Sequence, residues 1–152
     1  MKTKFHENKK NKLQILSKNS ILTLAILVSG FMTAQNATLE VEMTNFKNNT
    51  GLAKVGLYNS EGTFLGTTFK KLDSKIKDNK AVVIFKDLPA GEYAISMYQD
   101  ENLNGKMDKN FFGIPSEDYM ASNNEKGFMG PPKYEKAKFL IKDNSRIIIR
   151  VN

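Results

Sequence analysis

Apolar and polar residues alternate one by one along most of this chain, and that period of two limits what it can fold into. Leu39, Val41 and Met43 alternate with Thr38, Glu40, Glu42 and Thr44. Ala53, Val55 and Leu57 repeat the pattern, then Ala81, Val83 and Phe85, then Tyr93, Ile95 and Met97. Near the end come Ala137, Phe139 and Ile141, then Ile147, Ile149 and Val151, with Arg146 and Arg150 pointing the other way. Successive side chains of a strand face opposite sides of its sheet, so this pattern describes half-buried strands. Val82 and Ile84 are apolar too, which predicts that the 81–85 strand is buried on both faces. Thr63 to Phe69 reads as a short edge strand.

Between these runs lie turn formers: Asn48-Asn49-Thr50-Gly51, Asn59-Ser60-Glu61-Gly62, Pro89-Ala90-Gly91 and Asp143-Asn144-Ser145. No segment sustains a helical apolar repeat with caps. Six to seven short strands and no long helix predict an all-β fold. It is a single antiparallel β-sandwich, immunoglobulin-like or transthyretin-like, over residues 35–152.

Residues 1–34 read as a secretory signal peptide. Lys2, Lys4, Lys9, Lys10, Lys12 and Lys18 precede the apolar run Ile21 to Val28, which is too short to span a bilayer unaided. Small residues follow, with a cut expected at Ala34–Gln35. The chain is thus expected to be exported, periplasmic or extracellular, with no membrane span after cleavage. The whole sequence carries a formal charge of +7. Without the six lysines and one glutamate of the leader, 17 basic and 15 acidic residues remain, about +2. The basic balance is a property of the leader and argues against a nucleic-acid partner. The cluster Lys70, Lys71, Lys75, Lys77 and Lys80 is interrupted by Asp73 and Asp78 and reads as a solvated loop.

The chain has no cysteine or tryptophan, and its one histidine, His6, lies in the leader. Ser-His-Asp and Cys-His catalysis, disulfides and His/Cys zinc sites are therefore excluded from the expected mature domain. What remains is the run Asp100-Glu101-Asn102-Leu103-Asn104-Gly105-Lys106-Met107-Asp108, which opens a long loop insertion, 100–135. Asp100, Asn102, Asn104, Gly105 and Asp108 match positions 1, 3, 5, 6 and 9 of a Ca²⁺-binding loop. Position 12 is Phe111, so the bidentate carboxylate is missing and this is not an EF-hand. Glu117 or Asp118 would have to fold back to complete a shell. The same residues also suit a plain turn, since Asn104-Gly105 is a strong hairpin signal. The insertion carries Phe111, Phe112, Tyr119, Phe128 and Tyr134 and is expected to be ordered, with its rings packed on the sandwich. Tyr119 and Phe128 offer a second reading, stacking on a cell-surface glycan or protein.

Two enzyme readings are weaker. Ser74-Lys75-Ile76-Lys77 fits Ser-x-x-Lys but lacks its companion motifs. Asp108, Glu117 and Asp118 contain the carboxylates that a small hydrolase of extracellular glycans or peptides would need, with or without a metal. Asn36-Ala37-Thr38 and Asn48-Asn49-Thr50 are formal N-glycosylation acceptors.

Several blocks taken together resemble an exported bacterial family, domain-of-unknown-function family 2141. They are Leu88-Pro89-Ala90-Gly91-Glu92-Tyr93, the Asp100–Asp108 run, Phe112-Gly113-Ile114-Pro115, Ser122-Asn123-Asn124 and Gly130-Pro131-Pro132-Lys133-Tyr134. The family typically has His-Asp where this chain has Gln99-Asp100. The resemblance implies export and one β-rich domain, and brings no activity or catalytic residue. The Leu-Pro-Ala-Gly-Glu-Tyr block also resembles a turn of transthyretin-like and collagen-adhesin B-type sandwiches. The expectation is an exported binding or structural module, its loop ordered by Ca²⁺ at Asp100, Asn102, Asn104, Asp108, Glu117 and Asp118.

Overall fold

The computed structural model of the chain describes residues 36–151. The expected leader, 1–34, lies outside the described residues. Strands run in the order β1 (Ala37–Thr44), β2 (Leu52–Tyr58), β3 (Lys70–Lys75), β4 (Lys80–Leu88), β5 (Gly91–Asp100), β6 (Tyr119–Ala121), β7 (Phe139–Ile141) and β8 (Ser145–Arg150). One helical turn, α1 (Tyr134–Ala137), precedes β7. The strands form two sheets. One has the order β4-β1-β8; the other runs β3-β2-β5-β6, with β7 also paired to β5.

The alternating pattern is realised most simply in β1, where Ala37, Leu39, Val41 and Met43 are buried and the residues between them are half-buried. Val83, Phe85 and Ile149 of the same sheet join them in one core with Val55, Leu57, Ile95 and Met97 of the other. A sheet with one apolar face must bury it against another layer, and here that layer is the second sheet.

Several expectations need correction. There are eight strands among the described residues, not six to seven. The sandwich is not wholly antiparallel, because β1 and β8 run parallel, from Leu39 opposite Ser145 to Thr44 opposite Arg150. Periodicity carries no information on strand direction. Thr63 to Phe69 is not a strand. The edge strand is β3, which contains Lys70, Lys71 and Lys75, so part of the expected solvated loop is sheet. Lysines on an edge oppose pairing with another chain. The β4 strand is buried on one face only: Val82 and Ile84 stand 44% and 46% exposed on the outer face, opposite Glu42 and Glu40 of β1. Ala137 closes α1 rather than opening a strand. Ser74 lies in β3, not at the start of a helix as Ser-x-x-Lys chemistry requires.

The turn from β4 to β5 explains the Leu-Pro-Ala-Gly-Glu-Tyr block. Tyr93 Oη donates to the Pro89 carbonyl at 2.8 Å, fixing the angle at which β5 enters the second sheet. The β5 strand pairs with β2 from Ala94 to Asp100, with β7 near its start and with β6 further along. Its last residue is Asp100, so the acidic run leaves directly from a central strand.

Candidate functional site

The expected 100–135 insertion is two excursions, divided by β6. The β6 sequence, Tyr119-Met120-Ala121, is apolar at all three positions and shows no alternation. The first excursion is a long β5–β6 hairpin, closed where Gln99 N donates to the Asp118 carbonyl at 2.9 Å and Tyr98 pairs with Tyr119.

Asp100 organises the base of this hairpin. It is buried, and its two carboxylate oxygens accept from the backbone N–H of Asn104 (3.0 Å) and of Gly105 (2.9 Å). Asn102 Oδ1 accepts from Asn104 N at 3.1 Å, and Asn104 Oδ1 from Lys106 N at 2.8 Å. These bonds wind the chain into a tight turn, with Leu103 and Gly105 in the left-handed region at φ 60° and 75°. Asp108 receives both amide groups: Asn102 Nδ2 at 2.6 Å and Asn104 Nδ2 at 2.9 Å. Glu117 closes the ring from the returning limb. Its Oε1 accepts from Glu101 N at 3.1 Å and its Oε2 from Asp108 N at 3.0 Å. The structure therefore brings together five of the six expected ligands: Asp100, Asn102, Asn104, Asp108 and Glu117. Asp118 is not among them; its carboxylate pairs with Lys47 at 2.7 Å.

The donor chemistry suits a hard cation. All five groups offer oxygen, and each Asp100 and Glu117 oxygen that accepts one N–H retains a further lone pair. Among the described residues no three acidic side chains meet closely enough to hold an ion alone. Any ion there depends on the amide oxygens of Asn102 and Asn104. For proton-transfer chemistry the arrangement is poorer. Asp100 and Glu117 have both oxygens bound to backbone amides, which holds a loop shut rather than offering a free acid or base. A shallow depression between β3 and β4, lined by Lys70, Leu72, Ile84 and Asp87, includes no residue of this loop.

Contacts that the sequence did not reveal tie the base to the sandwich. Gln99 is fully buried and donates through Nε2 to Asn48 Oδ1 and to the Thr50 carbonyl, both at 2.8 Å. Asn48 Nδ2 in turn reaches Glu101 at 3.1 Å. A Cβ on Gly51 would lie 1.9 Å from the Asp100 carbonyl oxygen, so the β1–β2 loop packs directly against the hairpin base. The Asn48-Asn49-Thr50-Gly51 turn and the Gln99-Asp100 pair were visible in sequence, but not that they meet. Tyr98, at the foot of the hairpin, feels the same charges: burial first, then the Asp100 carboxylate, pushes its phenol pKa up.

The aromatic residues mostly do not pack down as expected. Tyr134 is buried, but Phe111, Phe112 and Phe128 are 97%, 82% and 89% exposed. Tyr119 is half-buried, with Lys126 Nζ 5.5 Å from its ring centroid. In the second excursion the Ser122-Asn123-Asn124 block is a clamp. The buried Ser122 Oγ accepts from Ile95 N at 2.9 Å and donates to the Ala137 carbonyl. Asn123 Nδ2 donates to the carbonyls of Lys136 and Lys138, and Asn124 Oδ1 accepts from Arg150 N. Those contacts join β5, α1 and β8.

No curated protein and no solved structure matches the chain. One family profile does, described as an uncharacterized protein conserved in bacteria, and it matches residues 41–149. That span contains the whole β5–β6 hairpin, the Ser122 clamp and at least part of every strand. The chain belongs to this family, DUF2141.

Proposed function

We propose that the protein is an exported, non-catalytic β-sandwich module that meets a cell-surface partner through its β5–β6 hairpin, with Ca²⁺ reinforcing the hairpin base. One observation carries this reading. The base of the hairpin is wound tightly around Asp100, Asp108 and Glu117, while its far end holds two phenylalanines in solvent. A long loop that is ordered at its root and apolar at its tip is suited to contact, since binding residues sit well on loops held by a rigid scaffold. The oxygen ligands for the ion are Asp100, Asn102, Asn104, Asp108 and Glu117. With few carboxylates and two neutral amides, the affinity falls in the weak range of extracellular modules, ~10⁻⁴–10⁻³ M. The ion would draw together limbs that backbone hydrogen bonds already hold. Calorimetric titration of the purified protein with Ca²⁺, against a chelator control, tests the site. Heat of binding and a raised melting temperature at millimolar Ca²⁺, both lost in Asp108→Ala, support it. No heat and no thermal shift remove the ion from the proposal.

A further inference from the structure

The far end of the hairpin has a property that its base does not share. Phe111 and Phe112 are 97% and 82% exposed, and Ile114 beside them is 59% exposed. The two rings meet edge to face with centroids 5.6 Å apart and, among the described residues, pair with no other ring. Exposed apolar clusters on a small domain mark contact sites.

The backbone beneath these rings is closed on itself. Asn110 Oδ1 accepts from Phe112 N and from Ile114 N, both at 3.0 Å. Asn110 N donates to the Ile114 carbonyl at 2.8 Å, and Gly113 N to the Asn110 carbonyl at 2.9 Å. Four consecutive-turn N–H groups thus have partners inside the turn. Backbone groups satisfied internally are what a segment needs before it can leave water for a hydrocarbon boundary. A glycan would call for polar side chains beside the rings. The one at the tip, Asn110, is turned into the backbone.

Charge selects the surface. Lys109 is the only charged side chain from residue 109 to 116, and Lys106 stands exposed on the same hairpin. The hairpin's acids lie toward its base and have partners there: Asp108 takes the amides of Asn102 and Asn104, Glu117 takes two backbone N–H groups, Glu101 accepts from Asn48 Nδ2 and Asp118 pairs with Lys47. An apolar tip adjoined by Lys109, with Lys106 exposed on the same hairpin, fits an anionic lipid interface. The turn at Gly127–Gly130 repeats the chemistry, with Phe128 and Met129 89% and 95% exposed and Lys126 beside them.

We propose that the Phe111–Phe112 tip inserts into the interfacial region of an anionic phospholipid bilayer, with Lys106 and Lys109 at headgroup level. This rests on the hairpin being the contact element and names what it touches; it does not require Ca²⁺ at the base.

The chain has no tryptophan, so Phe111→Trp supplies a single reporter in the full-length protein. Its emission reads the tip alone, whatever other segments do. Vesicles of phosphatidylethanolamine and phosphatidylglycerol are expected to shift that emission to the blue, and brominated acyl chains to quench it. A Leu140→Trp control, exposed on β7, is expected to stay water-like. Lys106→Gln and Lys109→Gln in the Phe111→Trp background are each expected to weaken vesicle binding about fivefold. The proposal is overturned if Phe111→Trp emission is unchanged by these vesicles. Equal quenching of Leu140→Trp, or equal binding to phosphatidylcholine vesicles, also overturns it. A tip buried only by a protein or glycan would give the first of these results while leaving the Ca²⁺ titration intact.

Discussion

A methyl group at position 51 would lie 1.9 Å from the carbonyl oxygen of Asp100 and 2.7 Å from its carbonyl carbon. Those atoms are backbone at the end of a central strand and cannot rotate away. Gly51 also sits at φ 73°, where a side chain is strained. Gly105 shares the left-handed φ, at 75°, but a Cβ there meets nothing within 4 Å. The two glycines therefore separate conformational strain from collision. Gly105→Ala should cost about 1 kcal/mol, the strain alone. Gly51→Ala should cost on the order of 3 kcal/mol, because the strand end must move as well. Urea denaturation of both variants measures the difference, and equal losses would show that the close approach at Gly51 does not matter. Ser122 presents the polar counterpart. Ser122→Ala leaves the Ile95 N–H without its side-chain partner and removes the tie to the Ala137 carbonyl. About 1–3 kcal/mol should be lost, read as a lower melting temperature.

The β5–β6 hairpin is an element with its own stability, since few of its ties are apolar and several are carboxylate-to-amide bonds. Glu117→Gln keeps the shape but offers an NH₂ where one oxygen accepted, from Glu101 N or from Asp108 N. Losing one charge-assisted bond, about 1.5 kcal/mol, should raise the open population of the hairpin roughly tenfold. Trypsin cleavage after Lys106 and Lys109 should quicken by a similar factor, while the global unfolding midpoint stays nearly fixed. A matched fall in that midpoint would mean that hairpin and sandwich unfold together. Which elements could be read in advance follows from the same physics. Strands β1, β2, β4, β5 and β8 were legible because one face of each is buried and the alternation records it. Strand β3 was not: none of its six residues is buried, so Lys-Lys-Leu-Asp-Ser-Lys leaves no apolar stripe. The turn at Asp100 was legible from the spacing of Asp, Asn and Gly, which is local. The diversion of Asp118 was not, because its partner Lys47 lies 71 positions away. The exposure of Phe111 and Phe112 was hidden too, since ring count says nothing about which rings the core can reach.

At the scale of the whole molecule, the sandwich buries tyrosines whose ionisation would oppose folding. Burial pushes the phenols of Tyr58, Tyr93 and Tyr134 above the ordinary value of 10.0. Below that value both folded and unfolded chains hold the protons, and these groups leave stability independent of pH. Above it the unfolded chain releases protons that the folded chain still holds, so stability falls as pH rises toward the folded values. Lys54 acts in the same sense. Its hydrogen bond to Asp73 raises its pKa above 10.5, and that contribution is lost as pH rises through the folded value. The chain has no cysteine, so thiol exchange cannot produce an alkaline transition of its own. Melting temperatures taken from neutral pH upward should therefore stay level and then decline beyond about pH 10. Tyr58 gives the cleanest variant, because its ring lies 5.2 Å from that of Phe64 and Tyr58→Phe preserves that edge-to-face contact. The variant should melt near the parent at neutral pH and lose stability less steeply at alkaline pH. Parallel decline of variant and parent would assign the alkaline loss to other groups, Lys54 first among them.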